Sequence, residues 1–399
     1  MGSAIGASVG ALLAADIAGV GPSGAAQSAN VIGAALFAVP ATAIVHRHGR
    51  RPSLAAAYFV ATIGALIVFA AAIRRSVPLL FLGFFLFGGA SAAGYQARYA
   101  AVDLAPAALR GRHLSLIVWG TTLGAVAGPS LAAAAGTAVA RYGAPTIAGP
   151  FFFSALLFGL ATLLLLLLLR PDPAVVARAM SAGTAAKEPA GTGMGAALRA
   201  VAARASARLG VIAMATGHLV MVGVMAMTPV HIRSAGHDAA HTLRIVGVVL
   251  SLHIAGMFAF APVMGWLTDR LGRRPVVMAG IGLLLGACAV AGTAGHGSVR
   301  LAIGMMLLGL GWSGTMVAGS TMLTESVPAE LKASAQGLSD LTMGLAGALA
   351  GAISGLVVEG WGYPRLTLLA ALATAPLVVL LWASVKVPDE VNISALPRA

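Results

Sequence analysis

The stretch "PFFFSALLFGLATLLLLLLL" (150–169) runs twenty residues without an ionisable side chain. A helix needs about twenty such residues to cross a hydrocarbon core of roughly 30 Å. Runs like this recur along the chain. They are continuous, not alternating in ten-residue segments, which excludes an outer-membrane barrel. Backbone groups in lipid must be satisfied within the segment, so these runs are helices. Composition agrees: 59% of the 399 residues are hydrophobic, only 9% are charged, and mean hydropathy is +0.93. A soluble chain of this length needs more polar surface than that. The fold class is an all-α polytopic membrane protein, with the lipid bilayer as its first partner.

The hydrophobic pattern predicts twelve spans, at about 3–20, 24–46, 53–73, 78–100, 113–137, 150–169, 209–231, 244–267, 275–295, 298–324, 333–358 and 363–385. The first has only some 17 residues before Gly19, which raises the expectation that the chain begins inside that helix. The formal charge of +13 does not point to nucleic acid, because the basic residues fall in short loops. With both termini in the cytoplasm, 18 Lys and Arg face inward and 7 outward. That meets the positive-inside rule for an inner (plasma) membrane protein. The one cysteine, Cys288, lies in an apolar run and reads as a packing residue.

The organisation is bipartite: residues 1–169, a central loop 170–208, and 209–399. The later part of the loop, "ALRAVAARASAR", reads equally as a basic amphipathic helix on the anionic leaflet or as a solvated linker. The halves repeat. Gly49-Arg50-Arg51-Pro52 recurs as Gly272-Arg273-Arg274-Pro275, "GFFLFG" (83–88) as "GMMLLG" (304–309), and "DLAPAALRG" (103–111) as "ESVPAELKA" (325–333), at offsets of 223, 221 and 222. Three matches at one period imply two related six-helix bundles, a transporter build with its site between the halves.

The loop "GWLTDRLGRRPV" resembles the signature of the major facilitator superfamily, through Gly265, Leu267, Asp269, Arg270, Gly272, Arg273, Arg274 and Val276. The resemblance extends over nearly the whole chain and implies that superfamily's fold of two pseudo-symmetric bundles. It also implies a gate on the cytoplasmic side formed by Asp269, Arg273 and Glu325. A carboxylate beside another helix's N-terminus gains from its exposed N–H groups and dipole, which gives Asp269 a local physical reason as well. The plainer alternative is that the arginines only enforce topology. The first-half copy (Gly49, Arg50, Arg51) carries His46 at the aspartate's place, so its latch is expected to be lost, with Asp103 and Arg110 available to pair with that loop's arginines. The fifth span resembles the superfamily's exporter-associated motif through Gly124, Gly128 and Pro129, with Gly120 on the same helix. This implies a hinge that favours export, against a plain reading of Gly/Ala packing. The fourth-span arginine of proton-coupled members is absent. Phe84 stands there, and Arg98 lies farther along that helix, as a replacement charge or a snorkelling residue.

Ionisable groups at bilayer depth are candidate sites. Asp340, with Gln336 one turn earlier, is the first candidate for a proton-carrying or substrate-contacting carboxylate; the alternative is a helix-end acid bonded to hydroxyls. Asp16 is a lesser candidate near the outer end of the first span. Met214, His218, Met221 and Met225 share a stripe of the seventh span. Copper binding is disfavoured for want of Cys or carboxylate partners, leaving packing or a pliable wall for an apolar substrate. His253, His231 and Trp312 (with Ser313 and Thr315) complete the set. No nucleotide-binding loop, metal cluster or catalytic group stands out, so neither an enzyme nor a cofactor is expected. The leading expectation is a monomeric exporter of a small apolar or amphipathic molecule by proton antiport, and the runner-up is uptake or facilitated transport of a metabolite.

Overall fold

A computed structural model describes residues 1–100, 103–104, 110–181, 194–328 and 331–385. Among them the regular structure is helical, without strands. The first half comprises α1 (Gly2–Ala18), α2 (Val20–His48), α3 (Arg50–Arg74), α4 (Val77–Phe87), α5 (Gly89–Ala100), α6 (Arg110–Ser130), α7 (Ala132–Ala140) and α8 (Gly149–Leu168). Two short helices follow, α9 (Pro173–Ser181) and α10 (Met194–Ala203). The second half comprises α11 (Ala205–Arg233), α12 (Ala239–Phe258), α13 (Ala261–Leu271), α14 (Arg273–Gly292), α15 (Ser298–Ser326), α16 (Lys332–Trp361), α17 (Tyr363–Leu372) and α18 (Ala375–Val385).

Four expected spans are each two helices: α4–α5, α6–α7, α12–α13 and α17–α18. By length and hydropathy ten described helices cross a membrane, or eleven if the bent pair α6–α7 is one span. The difference from twelve has two causes. Helix α1 has 17 residues, and the fifth span bends by 50° just after Pro129, where proline removes a ladder hydrogen bond.

Single glycines join several helices. Gly49 (φ 101°, ψ −179°) links α2 to α3, and Gly272 (φ 94°, ψ 164°) links α13 to α14. L-residues rarely adopt that backbone, so the repeated Gly-Arg-Arg-Pro is one turn used twice. The two cores differ in kind. The first half packs Phe84, Phe87, Phe151 and Phe158 edge-to-face, while the second is rich in methionine, with Met214, Met221, Met227 and Met305 buried. On α8, Leu156, Leu160, Leu163 and Leu167 are all more than half exposed, the surface expected of a helix facing lipid.

Helix α10 does not lie free on a surface. Its small residues Ala197 and Ala200, with Val201, are buried against the second-half core formed by α11 and α16.

Candidate functional site

The face that carries the two Gly-Arg-Arg-Pro turns is called here the loop face, and the opposite one the far face. The halves meet close to the far face and at mid-depth. Where α2 crosses α16, the Ser28 hydroxyl donates to the Ala348 carbonyl at 2.6 Å. A Cβ on Gly24 would collide with the Gly351 carbonyl oxygen, so the two backbones touch. Ser28 stands 21 residues from Gly49, or about 30 Å of helix. A second seam joins α6–α7 to α12. Ser130 and Ser251 hydroxyls lie 2.8 Å apart, Ser251 donates to the Val126 carbonyl at 2.6 Å, and Gly247 sits against the Pro129 carbonyl. Small residues on both sides allow this approach.

An ion pair closes the third seam. Asp16 on α1 accepts from Arg233 at the end of α11 at 2.6 Å and from Arg75 at the end of α3 at 3.2 Å. Asp16 therefore stands in a clamp between the halves. Nearby, His231 stacks on Tyr363 with centroids 4.3 Å apart.

Toward the loop face the halves part. On α16, Gln336, Asp340, Met343, Gly347 and Gly351 follow at three- and four-residue steps, so they share one face. Gly351 is buried against α2, Gly347 against His218 and Val222 of α11, and Met343 in the second-half core, whereas Gln336 and Asp340 are exposed. On α2, Ser28 is buried and Ala35, two turns nearer the loop face, is exposed. The contact of α2 with α16 at Ser28 and Gly351 thus gives way, nearer the loop side, to exposed residues that line a cleft, Ala35 on α2 and Gln336 and Asp340 on α16.

At the head of this cleft the Trp312 indole donates to His218 Nδ1 at 3.2 Å, and Phe258 meets Trp312 edge-on at 5.7 Å. His218 and Met225 are half-buried, and Met214 and Met221 are buried beside them. His253 does not face the cleft. It is fully buried between α12 and α15, with Nδ1 2.9 Å from the Met305 carbonyl and Nε2 without a hydrogen-bond partner among the described residues.

Of the fifth-span residues, Gly124 approaches Met1, Gly128 approaches Ala4 and Ile5, and the Pro129 carbonyl meets Gly247. A Cβ on Gly120 would meet nothing within 4 Å. The Arg98, Arg110 and His46 side chains lie outside the described residues.

The two turns carry different networks. In the second half Arg273 holds Glu325 with both guanidinium arms, at 2.9 and 2.5 Å. Asp269 is exposed and joins neither residue by a hydrogen bond or ion pair among those described. Arg270 lies 5.2 Å over the Trp266 ring, a Cβ on Gly265 would meet nothing within 4 Å, and Arg274 lines a recess of about 320 Å³ with Ser206, Met322 and Ser326. In the first half Arg50 grips Asp103 at 2.8 and 3.2 Å and Gln96 at 2.6 Å. Gln96 in turn donates to Thr42 at 3.0 Å. Asp172 accepts from the backbone N–H groups of Arg50 (3.1 Å) and Arg51 (2.7 Å), and of Ala174 and Val175. Arg51 also donates through Nε to the Leu166 carbonyl at 3.0 Å.

Sequence reasoning brought together Arg273 with Glu325 and Arg50 with Asp103, and placed Trp312 beside the cleft. It missed Asp172, Gln96, Arg233 and Arg75. Asp172 had a signal: an acid between two prolines, just after a span, in a loop with only one other acid, Glu188.

The family model of the Major Facilitator Superfamily matches residues 1–243 and 236–398. The chain belongs to that superfamily. It is a multi-pass membrane transporter. An uncharacterised MFS-type transporter, YdeG of Bacillus subtilis (strain 168), is 37% identical over 384 residues, spanning 96% of this chain and 88% of that protein. The riboflavin transporter RfnT of Brucella anthropi is 27% identical over 88% of this chain and 84% of its own length. A crystal structure of the nucleoside transporter NupG superposes with a TM-score of 0.75 at 18% identity, covering 97% of this chain and 96% of that one, which speaks for the fold alone.

Proposed function

We propose that this transporter exports a small amphipathic heteroaromatic molecule by alternating access, in exchange for protons. One observation carries the reading: the seams between the halves lie near the far face and at mid-depth, and the cleft opens on the loop face. With the basic loops in the cytoplasm, this is an inward-open state that loads from inside. The termini then also lie in the cytoplasm, in a plasma (inner) membrane. Rocking the halves about the middle would break the Asp16–Arg233 clamp and close the loop face. Asp269, exposed while that face is splayed, is then placed to reach the other half. The bend after Pro129 falls at the α6–α12 seam, where such a motion pivots, and this favours export.

Partial substrate burial among Met225, Trp312 and His218 suits a flat, amphipathic ligand. The relative named for riboflavin supports the same class. Asp340, exposed on the cleft wall, is the proton carrier in this scheme. The test is transport in proteoliposomes with a panel of heteroaromatic substrates, with and without an imposed pH gradient. Asp340→Asn should abolish gradient-driven efflux while substrate still binds. Unchanged efflux would remove Asp340 from the proton path, and efflux indifferent to the gradient would remove antiport.

A further inference from the structure

His218 and Trp312 form a pair whose chemistry is more specific than an apolar wall. An indole N–H only donates, and it donates to His218 Nδ1 at 3.2 Å. Nδ1 must then be the ring's unprotonated nitrogen, and the imidazole's one N–H is at Nε2. A doubly protonated ring has no lone pair for the indole, so charging it would orphan the N–H of a side chain only 8% exposed. Trp312 has little room to turn away, because Phe258 packs against it in a T-shaped contact at 5.7 Å and 70°.

The other edge of the imidazole faces α16 at Gly347. A Cβ there would lie 2.9 Å from both Cδ2 and Nε2, so only a glycine lets α16 pass this close to the ring. His218 Nε2 makes no hydrogen bond among the described residues, and the residue, though mostly buried, keeps some exposure. Gly347 lies on the α16 face that continues through Met343 to Asp340 and Gln336 at the cleft mouth. The donor therefore stands about two turns deeper than the polar end of that face, with Met343 buried between them.

We propose that His218 is the substrate-site hydrogen-bond donor. Trp312 fixes its tautomer so that Nε2–H presents to a carbonyl or ring-nitrogen acceptor on an uncharged ligand. The inference rests on the cleft being the transport site. It separates two roles: His218 reads the ligand, and proton carriage lies elsewhere on the wall.

Lumichrome, an uncharged fluorescent tricycle with carbonyl and ring-nitrogen acceptors, is the probe, with the full chain in lipid nanodiscs. His218→Leu should weaken its binding by about tenfold, the worth of one hydrogen bond. His218→Gln, whose amide N–H reaches near the Nε2 position, should restore binding to within about threefold. In 15N-histidine spectra at pH 7, His218 should show the Nε2–H tautomer, and Trp312→Phe should disturb it. An Nδ1–H or imidazolium ring, or lumichrome binding unaltered by His218→Leu, would overturn the proposal. So would a correct tautomer in a wild-type chain that does not bind lumichrome, since the donor would then have no ligand of this class. None of these outcomes bears on gradient-driven efflux, which the Asp340 test reads separately.

Discussion

The two Gly-Arg-Arg-Pro turns share a backbone and an arginine–acid pair, yet they have become different joints. In the first half, Arg50 and Asp103 side chains are 13% and 17% exposed; in the second, Arg273 and Glu325 are 33% and 52% exposed. The first is locked by Gln96 and by Asp172, which caps the N-terminus of α3. In the second no carboxylate is seen on the Arg273 backbone N–H among the described residues, and its own acid, Asp269, is exposed and acts on Arg273 only through space. The sequence argument had put the stronger network where Asp269 survives. The structure shows the denser one where the aspartate is lost, because the end of α8 delivers a substitute. In the proposed rocking cycle the first joint would stay fixed while the second releases.

The largest expected difference between them is in stability. Arg50→Ala leaves Asp103 and the Gln96 amide oxygen partly buried without their partner, which should destabilise by about 2–4 kcal/mol. Arg273→Ala breaks an exposed pair and should leave the melting temperature nearly unchanged. Thermal unfolding in detergent checks both. Equal shifts would mean that the burial difference does not matter and that the two joints are equivalent.

The next difference is in transport. Asp269→Asn should reduce flux by about tenfold, equivalent to ~1.4 kcal/mol of gate coupling, with melting unaltered. His46→Asn should change flux less than about twofold, since no latch is expected there. Initial rates in proteoliposomes measure both. Equal losses would place a latch on each side and break the asymmetry.

Much of this architecture was legible because bilayer thickness fixes helix length, and no tertiary information is needed to count apolar runs. The repeat was legible because Gly49 and Gly272 need a conformation that few other residues adopt. The Pro129 bend likewise follows from a missing N–H. What stayed hidden depends on long-range contacts. Asp172 acts on Arg50 from 122 residues away, Asp16 meets Arg233 across 217, and Trp312 meets His218 across 94. Each residue was readable alone, but which acid meets which base is set by how the bundles dock. The same holds for α10. Its sequence fits a membrane-surface helix or a solvated linker equally, and the packing of Ala197, Ala200 and Val201 against α11 and α16 is visible only once the bundle is formed.

The smallest difference tests whether Asp172 itself makes the first joint the fixed one. Alanine at either turn glycine must adopt a backbone that belongs to glycine, which costs about 1–3 kcal/mol. That strain is common to Gly49→Ala and Gly272→Ala and cancels in the comparison. At Gly272 a Cβ meets only Pro275 Cδ, at 3.8 Å. At Gly49 it would run into the Asp172 carboxylate, and the acid must leave the N–H groups of Arg50 and Arg51 to make room. Gly49→Ala should therefore be the more damaging by about 1 kcal/mol, the worth of a lost helix cap. Removing the acid first should erase that excess. In an Asp172→Asn background, where the capping charge is already gone, the two glycine substitutions should come closer together in melting temperature. If the excess at Gly49 persists undiminished there, the collision is with the turn itself, and Asp172 is a bystander rather than the lock.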